Sequence, residues 1–120
     1  MKRTNLELGE RGEAEVVSYL LHRNHKVLDR NWRVREGEID IVTVDERYVI
    51  HFIEVKTRSS LAFGHPLESI DSKKAHRLQR LALAWLATHA ALGRDFQIDV
   101  AAVVMGPSGE STIEFREAVL

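Results

Sequence analysis

Two short runs of the chain carry ionisable residues inside segments that otherwise resemble buried β-strands. They are Gly37-Glu38-Ile39-Asp40 and Phe52-Ile53-Glu54-Val55-Lys56. An ionised group in an apolar strand is costly unless something pairs with it. Because successive side chains of a strand point to opposite faces, Glu54 and Lys56 share one face. If the two runs form a hairpin, Asp40 joins that face, and the fold must bring the three charges together.

Length and composition are those of an ordinary globular protein. The chain has 120 residues, of which 44% are hydrophobic and 29% charged, and its net charge is −1. We expect one domain, residues 1–120, with a single core. The absence of cysteine excludes disulfides and thiolate chemistry and suits a cytoplasmic location. No signal peptide and no apolar run of membrane-spanning length is visible, so we expect a soluble protein without a membrane partner.

The near-neutral net charge conceals separated fields. Basic residues cluster at residues 23–35 and 73–80, whereas acids crowd residues 36–54 between them. Basic flanks around an acidic centre suit a phosphodiester that is held by its neighbouring phosphates while a cation occupies the middle. The alternative for any single cluster is solvated charge on an ordinary surface.

The spacing of apolar residues predicts two helices and five strands. The helices should cover residues 4–23, with a capping box at Thr4, and residues 71–93, with Asp71 or Ser72 as the N-cap. The strands are predicted at residues 26–33, 38–44, 48–57, 96–104 and 112–116. The fourth strand should be buried on both faces, and the last should lie at an edge. The order αβββαββ predicts an α/β fold with a mixed β-sheet flanked by helices.

Helix periodicity selects two more candidate residues. Glu13 lies in the row of the first helix that should face the sheet, together with Leu6, Gly9, Val17 and Leu20. Its alternative role is a partly exposed acid paired with an arginine. Lys74 precedes the apolar stripe of the second helix and would project toward the sheet, from a helix N-terminus that favours an anion. The alternative for Lys74 is a side chain that extends to solvent.

Asp40, Glu54 and Lys56 have the chemistry that phosphodiester hydrolysis requires. Carboxylates can hold Mg²⁺, which neutralises phosphate charge, and the carbonyl of Val55 can face the same ion. Lys56 can orient a water and stabilise the transition state. A Glu-x-Lys sequence also occurs by chance, so a structural ion pair is the alternative from these residues alone.

Other catalytic patterns are missing from the sequence. The six histidines lack metal-ligand spacing, and neither a Gly-x-Ser-x-Gly elbow nor a phosphate-binding loop occurs. We therefore expect packing or surface roles for the histidines. For Trp32 we expect a core or edge-packing role, with stacking on a base as the alternative. Asp99 lies in a strand that should be buried, so it requires a partner, for which a basic side chain is the best candidate.

The Asp40 and Glu54-Val55-Lys56 pattern resembles the PD-(D/E)XK nuclease superfamily. Within it the chain resembles the YraN family, which is similar to archaeal Holliday-junction resolvases. The matching positions span nearly the whole chain: Gly12-Glu13, Arg30-Asn31-Trp32-Arg33, Gly37-Glu38-Ile39-Asp40, Phe52-Ile53-Glu54-Val55-Lys56-Thr57-Arg58, Phe63-Gly64, Pro66-Leu67-Glu68, Lys74, Arg77 and Asp99-Val100.

The resemblance implies a restriction-endonuclease-like core, with Asp40, Glu54 and Lys56 in the catalytic positions, Glu13 as an additional acid on the metal side, and nucleic acid as the substrate. We therefore expect an endonuclease, dependent on Mg²⁺ or Mn²⁺, that hydrolyses structured or branched DNA. The expected metal ligands are Asp40, Glu54, Glu13 and the carbonyl of Val55. The expected nucleic-acid contacts are Arg33, Arg58, Lys74 and Arg77. A homodimer would suit a resolvase-like protein, because two cuts need two sites.

Two positions depart from the family pattern. Asn24-His25 replaces a glycine-aromatic turn, and Gln97 stands where the family often has arginine. The second change would remove a positive charge near Asp99 and so bears on substrate affinity.

The alternative function on the same fold is a non-catalytic module that binds nucleic acid or a protein. A third is a structural dimerisation domain whose acids only solvate a sheet edge.

Overall fold

The computed structural model describes residues 5–59 and 71–120. Its elements are α1 (Asn5–Leu21), β1 (Lys26–Val34), β2 (Gly37–Val44), β3 (Ile50–Arg58), α2 (Ser72–Thr88), β4 (Phe96–Met105) and β5 (Ser111–Arg116). This order confirms the predicted αβββαββ arrangement. The Thr4 capping box, most of the predicted loop at 59–66, and the motif positions between residues 63 and 68 lie outside the described residues.

The five strands form one mixed sheet in the order β1-β2-β3-β4-β5. Strands β3 and β4 are parallel, and the other neighbouring pairs are antiparallel. A parallel pair needs a long crossover, and α2 lies within it. As predicted, β4 is buried along most of its length, and β5 alternates between half-buried and exposed side chains at one edge. None of the helices in the described ranges is long and apolar enough to cross a membrane.

Each helix packs on its own face of the sheet. On one face Phe52 packs against Trp85 of α2, with 5.5 Å between ring centroids. On the other face Val16 and Leu20 of α1 pack with Ile53. Each such fully buried side chain contributes about 1.5–3 kcal/mol to stability. Because neighbouring residues of β3 pack against different helices, this strand belongs to both halves of the core.

Helix α2 ends earlier than predicted, at Thr88 rather than near residues 92–93. The Thr88 hydroxyl donates to the carbonyl of Trp85 at 3.0 Å, and the His89 ring lies 2.7 Å from the same oxygen. Ala90 then adopts a φ of 53°, which a helix cannot continue. These side-chain bonds satisfy the last turn, so the apolar residues that follow do not extend it. Trp32 contacts the core from β1, as predicted.

Gly12 marks the closest approach of α1 to the sheet. A Cβ at this position would overlap the Thr57 side chain on β3. The glycine therefore allows close backbone packing and does not delay the start of the helix. The buried face of α1 is Gly12, Val16 and Leu20, whereas Leu6, which was predicted to face the sheet, is 72% exposed. That part of the predicted helix row was wrong, because Leu6 lies in the first turn of α1, where Leu8 rather than Leu6 packs against the core.

The departure from the family pattern at Asn24-His25 has a local explanation. Asn24 adopts a φ of 64°, the left-handed conformation that closes a helix C-terminus and that asparagine tolerates. The His25 N–H donates to the Leu20 carbonyl at 3.1 Å. The His25 ring packs against the His51 ring, with 4.6 Å between centroids. Asparagine thus replaces the glycine, and histidine supplies the ring.

His51 is buried between two carboxylates. Its Nδ1 lies 2.5 Å from Oδ2 of Asp99, and its Nε2 lies 2.7 Å from Oδ2 of Asp45. Each ring nitrogen therefore has a carboxylate oxygen within hydrogen-bond distance, an arrangement that favours the imidazolium form, which donates from both nitrogens. Burial acts to lower the pKa of His51, but the hydrogen bonds to Asp99 and Asp45 outweigh it and raise the pKa. Asp99 therefore has the basic partner that the sequence predicted.

Replacement of the two glycines of α1 should have opposite effects. Gly12→Ala should destabilise the protein by about 1–3 kcal/mol, because the new methyl group displaces Thr57 or the helix. Gly9→Ala is the matched control: a Cβ there meets no atom within 4 Å. It should stabilise by roughly 0.5–1 kcal/mol through helix propensity. Urea denaturation of both variants measures this difference, and equal effects would contradict the close contact.

The raised pKa of His51 should make stability fall at alkaline pH. The folded state holds this proton more tightly than the unfolded chain does. The stabilisation is therefore complete below about pH 6.5 and is lost as the pH rises through the folded-state pKa. His51→Gln should lower the free energy of unfolding by about 3 kcal/mol at acidic pH, because two carboxylates lose their partner. It should also remove this part of the pH dependence.

Urea denaturation between about pH 6 and pH 9 checks both effects. His22→Gln is the control, since His22 is exposed just beyond the end of α1 and its ring lies 2.7 Å from the carbonyl of Ser18. It should keep the wild-type profile. An unchanged alkaline decline in His51→Gln would show that the stabilisation comes from other groups.

Candidate active site

A cleft of about 820 Å³ is lined by the first half of α1, the start of β2, the end of β3 and one residue of α2. Its ionisable lining residues are Glu13, Glu38, Asp40, Glu54, Lys56, Arg58 and Arg77. Residues from both predicted motifs and from the first helix therefore line one cavity. Four acids in one cleft repel one another, so their placement requires a physical explanation.

Asp40 is fixed at the point where the pairing of β2 with β3 ends. The pairing runs from Val44 opposite Ile50 to Ile41 opposite Ile53. One residue further, Oδ2 of Asp40 accepts the backbone N–H of Val55 at 2.8 Å. The carboxylate thus replaces a backbone acceptor of the neighbouring strand.

The same bond bears on the carbonyl of Val55. The N–H and C=O of one strand residue point to the same side. The Val55 carbonyl therefore points toward the side on which Asp40 lies, and Val55 itself lines the cleft. This orientation is the one that a shared cation would require.

Asp40 is strongly perturbed by its surroundings. Burial raises the pKa of Asp40 to about 7, and the hydrogen bond from Val55 opposes the rise. The neighbouring charges of Glu13, Glu38 and Glu54 raise it further. A cation between these groups would reverse the effect, because it favours the ionised carboxylates. A bound cation would therefore lower the electrostatic energy of these clustered acids.

Glu54 and Lys56 lie side by side on β3. Lys56 Nζ is 3.4 Å from Oε1 of Glu54, and both side chains are largely buried. The other oxygen, Oε2 of Glu54, is buried and has no hydrogen-bond partner among the described residues. An orphaned carboxylate oxygen is costly in a fold but suits a metal ligand. The residues of the cleft therefore fit the divalent ion that the resemblance implies.

Glu13 reaches the cleft from α1. Burial raises the pKa of Glu13, while the charges of Arg30 and Arg33 act to lower it. The side chain of Asn31 also hydrogen-bonds to Glu13 and lowers its pKa. Glu13 is therefore partly buried among cations rather than fully solvated. The sequence suggested two roles for Glu13, an additional acid of the site or an acid paired with an arginine. The environment of Glu13 is compatible with both.

The four basic residues expected to contact nucleic acid fall into two groups. Arg58 and Arg77 line the cleft. Arg33 donates to Oε2 of Glu38 at 3.0 Å and is mostly exposed. Lys74 lies in a neighbouring groove, so the structure does not bring it into the acidic cleft as its position in the helix suggested. Its backbone N–H already donates to the N-cap carboxylate of Asp71 at 2.9 Å.

A second group of residues with metal-ligand chemistry surrounds His51. Ligand atoms of His51, Asp99 and Glu117 lie within 4.8 Å of one another. Both ring nitrogens of His51 bond to carboxylates, and Oδ1 of Asp99 accepts from Gln97 at 2.8 Å and from the N–H of Ala118 at 2.9 Å. His51, Asp45 and Asp99 therefore form an ion-pair network in which neither ring nitrogen is free to bind a metal. Sequence spacing missed it because His51 and Asp99 are 48 residues apart.

Gln97 has a different role from the one its sequence position suggested. Its side-chain amide donates to Asp99, and Gln97 does not line the acidic cleft. His51 supplies the positive charge that Asp99 needs. The missing arginine is therefore compensated within the ion-pair network, where it bears on stability rather than on the cleft.

The sheet order and the two flanking helices give the chain a restriction-endonuclease-like α/β fold. Residues 12–103 match the family described as Uncharacterised protein family UPF0102. The chain belongs to this family, which is the YraN family of the sequence resemblance.

Relatives support the family assignment, and a solved structure is similar in fold. A UPF0102 protein of Beutenbergia cavernae is 44% identical over 93% of this chain and 94% of its own length. One of Arthrobacter sp. strain FB24 is 43% identical over the same shares of the two chains. A repair endonuclease from Pyrococcus abyssi matches with a TM-score of 0.50 and 16% identity. That match covers 91% of this chain but 41% of the endonuclease, so the likeness concerns the fold of less than half of that protein.

Neutralising Asp40 should stabilise the metal-free protein. The folded-state pKa of about 7 lies above 3.8, the ordinary value for an aspartate side chain. Folding therefore loses stability as the pH rises between these two values. Asp40→Asn can still accept the Val55 N–H, and it should raise the free energy of unfolding by about 1–3 kcal/mol at mildly alkaline pH. The gain should shrink on acidification.

Urea denaturation with EDTA at acidic and alkaline pH measures this gain. Added Mg²⁺ should then stabilise the wild type but not Asp40→Asn, because an ion bound only to the folded state shifts the equilibrium by mass action. Glu15→Gln, on α1 outside the cleft lining, is the control and should respond to Mg²⁺ as the wild type does. A stability loss in metal-free Asp40→Asn would mean that the ionised carboxylate stabilises the fold.

Proposed function

We propose that this chain is an endonuclease domain, dependent on Mg²⁺ or Mn²⁺, that hydrolyses phosphodiesters of structured or branched DNA. The observation that carries the proposal is the lining of one cleft by Glu13, Asp40, Glu54 and Lys56. A structural ion pair would need one acid beside Lys56. Besides Glu54, the cleft contains Glu13, Glu38 and Asp40. These three acids raise the electrostatic cost of folding, and a divalent cation would remove that cost.

The proposed metal ligands are the carboxylates of Asp40, Glu54 and Glu13 and the carbonyl of Val55. The orphaned Oε2 of Glu54 and the raised pKa of Asp40 support this set. When bound, Mg²⁺ would supply charge neutralisation at the scissile phosphate and help to activate a water. The hydrogen bond from Val55 to Asp40 keeps two of these groups in register before any ion binds.

Lys56 is the proposed catalytic cation. Its ammonium lies 3.4 Å from Glu54, at the same end of β3 as the acids. From this position it can donate a hydrogen bond to a water and orient it toward the phosphate. It can also offset the negative charge that develops on the phosphoryl oxygens in the transition state. Glu54 holds Lys56 close to the reacting groups.

The remaining assignments follow from the substrate. Nucleic acid would contact Arg58 and Arg77 in the cleft and Arg33 and Lys74 beside it. The fold that the chain shares with a repair endonuclease supports this class of substrate. We further propose that residues 1–120 act as one domain, that the protein is cytoplasmic, and that two copies associate when two strands are cut.

Removal of the Lys56 ammonium should abolish cleavage and preserve binding. Lys56→Met keeps the apolar length of the side chain and should reduce the rate of DNA cleavage by at least about 100-fold. Cleavage is measured with four-way, duplex and single-stranded DNA in Mg²⁺, in Mn²⁺ and in EDTA. Lys26→Met, an exposed lysine on β1, is the matched control and should cleave as the wild type does.

The same experiment separates the endonuclease from a non-catalytic binding module. Metal-dependent cleavage by the wild type that is lost in Lys56→Met supports the proposal. Tight binding of these DNAs by the wild type without cleavage in either metal would refute it and favour the binding module. Cleavage that persists in Lys56→Met would refute the role of this lysine.

A further inference from the structure

The exposed side of α2 carries only positive charge. Between Ser72 and Thr88 the sequence contains no aspartate or glutamate. Five of its side chains line a groove of about 440 Å³: Lys73, Lys74, His76, Arg77 and Arg80. We call these five residues the α2 basic face. All of them lie in the first nine residues of the helix, so the charge is concentrated at one end.

This end of the helix is the unfavourable one for cations. The helix dipole places partial positive charge at the N-terminus, where each added cation destabilises by about 0.3–1 kcal/mol. Only the N-cap, Asp71, opposes this locally. None of the lysines and arginines of the α2 basic face forms an ion pair with a residue in the described ranges. Within residues 5–59 and 71–120 these charges therefore form no stabilising ion pair and are available to an anion.

The α2 basic face adjoins the acidic cleft. Arg77 lines both the groove and the cleft, so the two surfaces are continuous. The helix is anchored behind this face by the buried residues Leu78 and Leu81, which pack in the core with Ile39 of β2. Because β2 also carries Asp40, the positions of the cations and of the acids are fixed relative to one another.

The spacing of the basic residues suits a phosphate backbone. From Lys73 to Arg80 the helix rises about 10 Å at 1.5 Å per residue. One strand of a duplex presents a phosphate about every 3.4 Å along its axis. The α2 basic face therefore spans about three phosphates of one strand. The acids of the cleft repel such a strand, so binding requires cations beside them.

We propose that the α2 basic face holds the phosphate backbone of the nucleic acid on one side of the scissile phosphodiester, without reading its bases. The inference rests on the proposed function in that the ligand is nucleic acid, and it assigns affinity and cleavage to different surfaces. Affinity comes mainly from α2, and the chemistry comes from β2 and β3. Lys73, His76 and Arg80 thereby gain a role beside Lys74 and Arg77.

Removal of two of these charges should weaken DNA binding and reduce its salt dependence. Lys73→Gln/Arg80→Gln leaves the cleft lining intact. Each phosphate contact contributes about 0.9 to the slope of log affinity against log salt. In the double variant the slope should become shallower by about 2, and affinity at low salt should weaken about tenfold or more. Fluorescence anisotropy with four-way and duplex DNA, in EDTA, measures binding without cleavage.

A control variant removes the same charge elsewhere. Arg47→Gln/Arg94→Gln alters two exposed arginines that line neither the groove nor the cleft. It should keep the wild-type slope and affinity within about twofold, because only contacting cations release counterions. An equal loss of affinity in both double variants would overturn the inference in favour of a general effect of net charge.

Thermal unfolding supplies the readout that distinguishes a binding role from a structural one. Lys73→Gln/Arg80→Gln should keep or raise the Tm, because it removes a cation near the helix N-terminus. A lower Tm together with weaker binding would assign these residues to the fold and overturn the inference. So would an unchanged salt slope.

The outcomes for the two proposals are separable. DNA binding that depends on the α2 basic face, without cleavage by the wild type, would refute the endonuclease and support the inference. Cleavage by the wild type with unchanged binding in the double variant would do the reverse. Binding of polyglutamate but not of DNA would refute both nucleic-acid assignments and point to an acidic protein partner.

Discussion

The hydrogen bond from the Val55 N–H to the Asp40 carboxylate, at 2.8 Å, connects the fold to the site. It lies where the backbone pairing of β2 and β3 stops, so a side chain continues the connection that the main chain no longer makes. It fixes the acid of one strand against the strand that carries Glu54 and Lys56. The geometry of the cleft therefore depends on this one bond. A backbone N–H is present in any strand, but at this position only a short acidic or amide side chain can accept it.

Strand β3 has opposite polar environments at its two ends. Near its start, His51 is held by Asp45 and Asp99, and both ring nitrogens of His51 and both carboxylate oxygens of Asp99 have partners. Near its end, Oε2 of Glu54 has none among the described residues. A satisfied network stabilises a strand, whereas an orphaned oxygen destabilises it. The network around His51 stabilises the strand, and this stabilisation offsets the cost of the unpaired oxygen of Glu54.

The sequence predicted the parts of the structure that depend on local pattern. Alternation placed all five strands within a few residues, and the separation of the two acidic motifs predicted a hairpin. Helix periodicity correctly predicted that Glu13 faces the sheet, but it misplaced Leu6, which lies in the first turn of α1 and is exposed. Lys74 was assigned to the cleft on the same reasoning, yet a helix row gives direction and not distance, and the residue lies in the groove beside it.

Interactions between distant segments were the ones the sequence did not supply. The charge on His51 depends on a carboxylate 48 residues away, and no spacing rule relates the two. The end of α2 depends on two side chains that bond the carbonyl of Trp85, although the following residues are apolar enough to continue the helix. In both places the structure depends on specific hydrogen bonds, which amino-acid composition alone does not predict.

The parallel pairing of β3 with β4 has a consequence for the order of folding. The hairpin of β2 and β3 closes over residues 45–49 only, so the entropy cost of bringing Asp40 to Glu54 and Lys56 is small. Pairing Ile50 with Phe96 must instead close a loop that contains the whole of α2. Such non-local contacts form late. A partly folded chain can therefore bring Asp40, Glu54 and Lys56 together before the cations of α2 are positioned beside them.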